Sequence, residues 1–186
     1  VSIALSVIRY RAVVFPVTER APSAPGLTLA PNCYIVPEER PSKAFHLFTN
    51  IVFQGMPGLC FSRVPPERLR ERHGIAKTPV IWIGQKAING TAMFSLGDIA
   101  ETVDGFLRDA KGGIVLIEGV EYLVSRHGLT KVLRFLQDIV DAGVVHSGVV
   151  LLSLNPGILR EKELAVLRRE FVALPEGVEP AGEVVA

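Results

Sequence analysis

Hydrophobic patterning places this chain in the α/β class, as a three-layer αβα sandwich built on a mostly parallel sheet. Three observations predict it. The run Ile114, Val115, Leu116, Ile117 is apolar without alternation, the pattern of a strand covered on both faces. Comparable runs alternate with segments of helical periodicity about five times along the chain, the signature of parallel strands joined by helical crossovers. Gly and Pro fall at the borders of these segments, and no internal repeat interrupts the series.

The elements follow in order. Cys33 to Val36 is a short strand. Pro41 suits the start of a helix because it has no amide hydrogen to leave unpaired, and Ala44, Phe45, Leu47, Phe48, Ile51 and Val52 recur at helical spacing. Gly55 and Pro57 end that helix, and Leu59 to Phe61 form a second strand closed by Ser62 and Arg63. Pro65 and Pro66 open a polar helix that runs through His73 to Gly74; Pro79 to Ile83 is the third strand, with Trp82 expected in the core. Gly84 to Phe94 reads as a loop. Ser95 with Asp98 three residues on approximates a capping box, so a helix is expected to about Ala110, with Leu96, Ile99, Val103, Phe106 and Leu107 on its apolar face. After the central strand come two helical pieces split near Gly128, a fifth strand at Gly148 to Leu152, and an Asn155-Pro156-Gly157 turn. A charged helix from Arg160 to Glu170 leads into a last short strand, Phe171 to Leu174.

The ends are of different character. Residues 1–17 open with an apolar run closed by Arg9-Tyr10-Arg11, which suggests the cytoplasmic end of a longer membrane helix, with Tyr10 at headgroup depth. The run by itself is too short to span a bilayer, and the plain alternative is a strand or helix packed on the domain. The chain begins without Met and is expected to be a fragment of a membrane-associated protein. Residues 18–32 are a Pro-rich linker, 33–174 the α/β domain, and 175–186 a patternless tail.

Charge and composition exclude several classes. A net charge of +1 on 186 residues gives no bulk electrostatic case for nucleic acid. The two cysteines, Cys33 and Cys60, each sit in an apolar run and read as buried thiols. No Cys/His spacing suggests a metal, and no cofactor motif is intact. His73 and His127 precede glycines at helix ends, where a cation complements the helix dipole. Ser62 and Ser153 have no neighbouring base in the sequence and lie in no nucleophile elbow.

Several strings taken together resemble the archaeal family called domain of unknown function 835. They are Gly58-Leu-Cys-Phe-Ser-Arg63 with Pro66 and Leu69-Arg70 following, and Pro79-Val-Ile-Trp-Ile83. Val115 to Leu123, Phe135-Leu-Gln-Asp138 and Glu163 to Glu170 complete the set. The resemblance spans roughly Cys33 to Leu174, with Glu118 where the family's strand ending usually has Asp. It implies a fold and a signalling type of setting, not a reaction. Residues 1–17 are similar to the close of the seven-helix membrane region ahead of some prokaryotic histidine kinases.

The order of elements also resembles the opening of the KaiC and RecA type ATPases, whose first loop cradles phosphate with the pattern GxxxxGK[ST]. The corresponding residues here are Pro37-Glu38-Glu39-Arg40-Pro41-Ser42-Lys43-Ala44. Lys43 keeps the lysine position, but both glycines are replaced, Ala44 offers no hydroxyl to Mg²⁺, and Glu38 and Glu39 would repel phosphate. Nucleotide binding is therefore expected to be lost and the loop to be degenerate.

Glu118 and Glu121 follow the central strand and Arg63 follows the second. In a RecA-like strand order these ends share one edge of the sheet and form a ligand or partner crevice, or else an ion-pair network that fixes the loops. A buried Glu118 should then find Arg63 or a backbone donor. The candidate binding residues are Lys43, Arg63, Glu118 and Glu121, with no catalytic or metal-ligating residue. The expected function is a non-catalytic module on the cytoplasmic face of the membrane, binding a protein partner or its own copy. The rival is a divergent ATPase that uses Glu118 for metal and Lys43 for phosphate.

Overall fold

A computed structural model describes residues 28–84, 92–93 and 95–174. The linker and membrane-stub readings of residues 1–27 and the reading of the tail from 175 lie outside the described residues. Among the described residues no helix is long and apolar enough to cross a membrane.

Seven strands make one sheet in which every pairing is parallel. They are β1 (Asn32–Pro37), β2 (Gly58–Ser62), β3 (Val80–Ile83), β4 (Ala92–Met93), β5 (Ile114–Ile117), β6 (Val149–Leu154) and β7 (Val172–Ala173). The order across the sheet is β4-β3-β2-β5-β6-β1-β7. The helices are α1 (Lys43–Phe53), α2 (Pro66–His73), α3 (Leu96–Ala110), α4 (Val120–His127), α5 (Leu129–Val145) and α6 (Glu161–Glu170). The expected three layers are present. The stretch read as a loop contains the edge strand β4, which pairs Ala92 with Trp82 and Met93 with Ile83. Two residues are too few to carry a period in the sequence, and only the pairing with β3 defines them.

The layers follow from the two-residue alternation of side chains along each strand. Val115 and Ile117 join Leu59, Phe61, Ile81, Ile83, Val150 and Leu152 beneath α3, α4, α5 and α6. Ile114 and Leu116 join Tyr34, Val36, Cys60, Val80, Val149 and Leu151 beneath α1 and α2. All four β5 side chains are fully buried, which explains their unbroken apolar run. Leu29 already belongs to the second of these cores, so packing begins ahead of β1. Ser95 caps α3 by accepting the Asp98 N–H at 3.4 Å, as the sequence predicts.

Both cysteines are buried and unpaired. Burial pushes the Cys33 thiol up to about 12, and Cys60, fully buried, is pushed up further. Neither is a reactive thiolate.

Because all strands are parallel, their carboxyl ends share one edge. Two adjacent pairs there have connections that leave toward opposite faces. The chain after β2 goes to α2 on one face, and after β5 to α4 on the other. The chain after β1 goes to α1, and after β6 to α6 on the opposite face. Such divergence opens a crevice at the carboxyl ends, and crevices of this kind are where α/β sheets bind ligands.

Candidate functional site

The first crevice, between β1 and β6, is filled by the chain itself. Glu38 follows β1 directly, and its N–H donates to the Leu154 carbonyl at 3.0 Å, which holds it at the strand end. Its carboxylate then turns onto the start of α1. Oε2 accepts the Ser42 N–H at 2.9 Å and the Lys43 N–H at 2.7 Å, and Oε1 accepts the Ala44 N–H at 3.3 Å. These are donors that a helix start leaves without intrahelical partners, and the dipole there favours negative charge. Across the crevice the buried Ser153 hydroxyl of β6 donates to Oε1 at 2.7 Å. In a phosphate cradle these amides would face the ligand. Here a carboxylate from the same loop holds them.

The second crevice lies between β2 and β5. Gly119, at φ +99, turns the chain from β5 into α4, a backbone conformation that a side chain strains. A Cβ at that position would also lie 2.6 Å from Cγ of Arg63. Glu118 at the end of β5 accepts the Ser62 hydroxyl at 2.6 Å and the Arg63 N–H at 2.7 Å through one oxygen. Ser62 in turn accepts the Val64 N–H at 2.9 Å. Burial raises the Glu118 pKa, and the Glu121 charge adds to the rise; the two hydrogen bonds and the Arg63 charge oppose it. Glu121 accepts the Asn155 N–H at 2.8 Å and so ties α4 to the end of β6.

Arg63 crosses the mouth of this crevice. Its guanidinium lies 4.0 Å from the Tyr122 ring centre and 5.7 Å from that of Trp82, and NH1 donates to the Ile83 carbonyl. Trp82 is half-buried at the carboxyl end of β3, and its Nε1–H donates to the Arg63 carbonyl at 3.0 Å. It belongs to neither hydrophobic core. The expectation that Trp82 is a core residue is thus corrected: the ring is half-buried at the strand end and lies against Arg63 instead.

Of the four residues singled out in the sequence, the structure brings Arg63, Glu118 and Glu121 to one edge. Glu118 finds the backbone donor that its burial requires. Lys43 stands at the other crevice, where its amide serves Glu38. The two serines that lacked a base in the sequence each donate to a carboxylate, Ser62 to Glu118 and Ser153 to Glu38, across sequence separations that no local pattern reveals. Tyr122 gave no signal of its own, and Asn155 signalled only a turn. The only hint of Glu38's role was its place between a strand end and a helix start.

The histidines form no site. His73 stacks on Phe45 at 4.8 Å with its edge neighbour His46 at 6.4 Å, and His146 bonds Asp104 at 2.8 Å. Among the described residues no group of three or more His, Cys, Asp or Glu side chains could hold a metal, and no buried side-chain polar atom lacks a partner.

Fold and site together define an α/β protein with an all-parallel sheet in which a carboxylate holds the first amides of α1 between β1 and β6. The family model described as protein of unknown function (DUF835) matches residues 38–171, most of the chain, and the protein belongs to that family. No curated protein matches it.

Proposed function

We propose that this domain is a non-catalytic protein-interaction module, derived from a RecA or KaiC type ATPase scaffold, that works in signalling on the cytoplasmic face of the membrane in an archaeal protein. One observation carries the non-catalytic part: the Glu38 carboxylate accepts the Ser42, Lys43 and Ala44 amides, the donors that a phosphate would need. A nucleotide would have to expel a carboxylate from its hydrogen bonds and from the buried Ser153 hydroxyl, then overcome its charge. The loop offers no glycine for close backbone approach, and Ala44 stands where the pattern has the hydroxyl that holds Mg²⁺. At the other crevice one oxygen of Glu118 is engaged by the Ser62 hydroxyl and the Arg63 amide. The signalling and membrane setting rests on the sequence of residues 1–17 and its seven-helix resemblance.

Isothermal titration of the chain with ATP, with and without Mg²⁺, tests this reading. The expected result is no saturable heat up to millimolar ATP. A Mg²⁺-dependent isotherm would overturn it in favour of a divergent ATPase using Lys43 and Glu118.

A further inference from the structure

At the carboxyl edge of the sheet two guanidinium groups meet two aromatic rings, and the Arg63 charge is near enough to act on the Glu118 carboxyl. Arg63 and Arg126 both approach the Tyr122 ring, with guanidinium carbons 4.0 and 5.9 Å from its centre, and the Trp82 ring centre lies 5.7 Å from the guanidinium carbon of Arg63. Arg126 is exposed; Arg63, Trp82 and Tyr122 are half-buried and reachable from solvent. Among the described residues neither guanidinium makes an ion pair, whereas Arg108, elsewhere on the surface, pairs with Asp104 and Asp109. The nearby carboxylates point elsewhere, Glu118 to Ser62 and the Arg63 amide and Glu121 to the Asn155 amide.

The bond to the Ile83 carbonyl engages a single nitrogen of Arg63, so most of its N–H fork remains available to an acceptor from outside. Stacking on Tyr122 and the carbonyl bond already fix the side chain, so little rotamer entropy is lost when it meets a carboxylate. Trp, Tyr and Arg are also the residues that dominate binding energy at protein interfaces. The cluster lies at the mouth of the β2/β5 crevice, where this fold class presents its binding groups.

We propose that Arg63, Tyr122, Arg126 and Trp82 form a docking surface for an acidic peptide segment of a partner protein, one that brings carboxylate side chains to the two guanidinium groups. This rests on the reading of the domain as an interaction module and names the contact surface and the chemistry of the partner.

Trp82 is the single tryptophan of the chain, so its emission reports directly on this surface. A fluorescein-labelled hexaglutamate peptide titrated with the whole chain at low salt should show a saturable rise in anisotropy and a matching change in Trp82 emission. A hexalysine peptide should show neither. Arg126→Ala should weaken hexaglutamate binding about 5- to 10-fold, the effect of losing one charge-assisted contact, with its unfolding transition unchanged. Absence of binding would overturn the proposal. So would equal binding of hexalysine, binding that leaves Trp82 emission unchanged, or binding insensitive to Arg126→Ala. The broader reading fails separately, on Mg²⁺-dependent ATP heat, whatever the peptides do.

Discussion

Replacing Glu38 by Ala should destabilise the domain measurably. The substitution strips the start of α1 of its acceptor for the Ser42, Lys43 and Ala44 amides and leaves the Ser153 hydroxyl without its partner. Loss of a side-chain cap costs about 0.5–2 kcal/mol. Water can reach Ser42 and Lys43, which are half-buried, but Ala44 is fully buried and Ser153 is 5% exposed. An orphaned buried hydroxyl adds about 1–3 kcal/mol. The two effects overlap, since one carboxylate serves both, and the expected loss is about 2–4 kcal/mol. For a domain of this size that lowers the melting temperature by about 5–15 °C. Urea and thermal unfolding followed by circular dichroism measure it, with exposed Glu39→Ala as a control expected within about 0.5 kcal/mol of wild type. Adding Ser153→Ala to Glu38→Ala should recover about 1 kcal/mol, because it removes the stranded hydroxyl. A Glu38→Ala protein as stable as wild type would refute the claim that this carboxylate fills the cradle.

Two further outcomes follow from the second crevice. Glu118 has a folded-state pKa raised by burial, so the stability tied to its protonated form is fully present below the ordinary carboxylate range. That stability is lost as the pH rises through the raised value. Denaturation midpoints measured from pH 4 to 8 should therefore show a decline in wild type that Glu118→Gln flattens, since the amide oxygen can still accept from Ser62 and Arg63. Gly119→Ala should cost at least about 1–2 kcal/mol, from a positive φ and a Cβ 2.6 Å from Arg63 Cγ. It should also shift Trp82 emission, because Arg63 must move from beneath the ring; an unchanged spectrum would count against the stacked arrangement.

The architecture was legible because burial on both faces writes itself into composition. The run Ile114 to Ile117 suited a strand covered on both faces, and the Ser95/Asp98 pair marked the start of α3 within a residue. The departure from the phosphate-loop pattern was legible too, since Pro37, Ser42 and Ala44 stand where that pattern has its two glycines and its hydroxyl. What meets the amides at the start of α1 was not. Glu38 was recognised as hostile to phosphate, but its position on the helix amides depends on the turn between β1 and α1 and on Ser153, which lies 115 residues away. Trp82 was misread as core because an apolar run does not reveal that the ring meets Arg63, which precedes it by 19 residues.

Hydrophobic spacing along the chain thus determined the helices, every strand but β4 and the three-layer class, since these depend on which residues must leave water. Only the folded sheet decided that Glu38 meets Ser153, that Glu118 meets Ser62, and that Arg63 lies beneath Tyr122. Those contacts arise because parallel strands distant in sequence end on one edge, and the order of strands across the sheet is not written in the periodicity of any one of them.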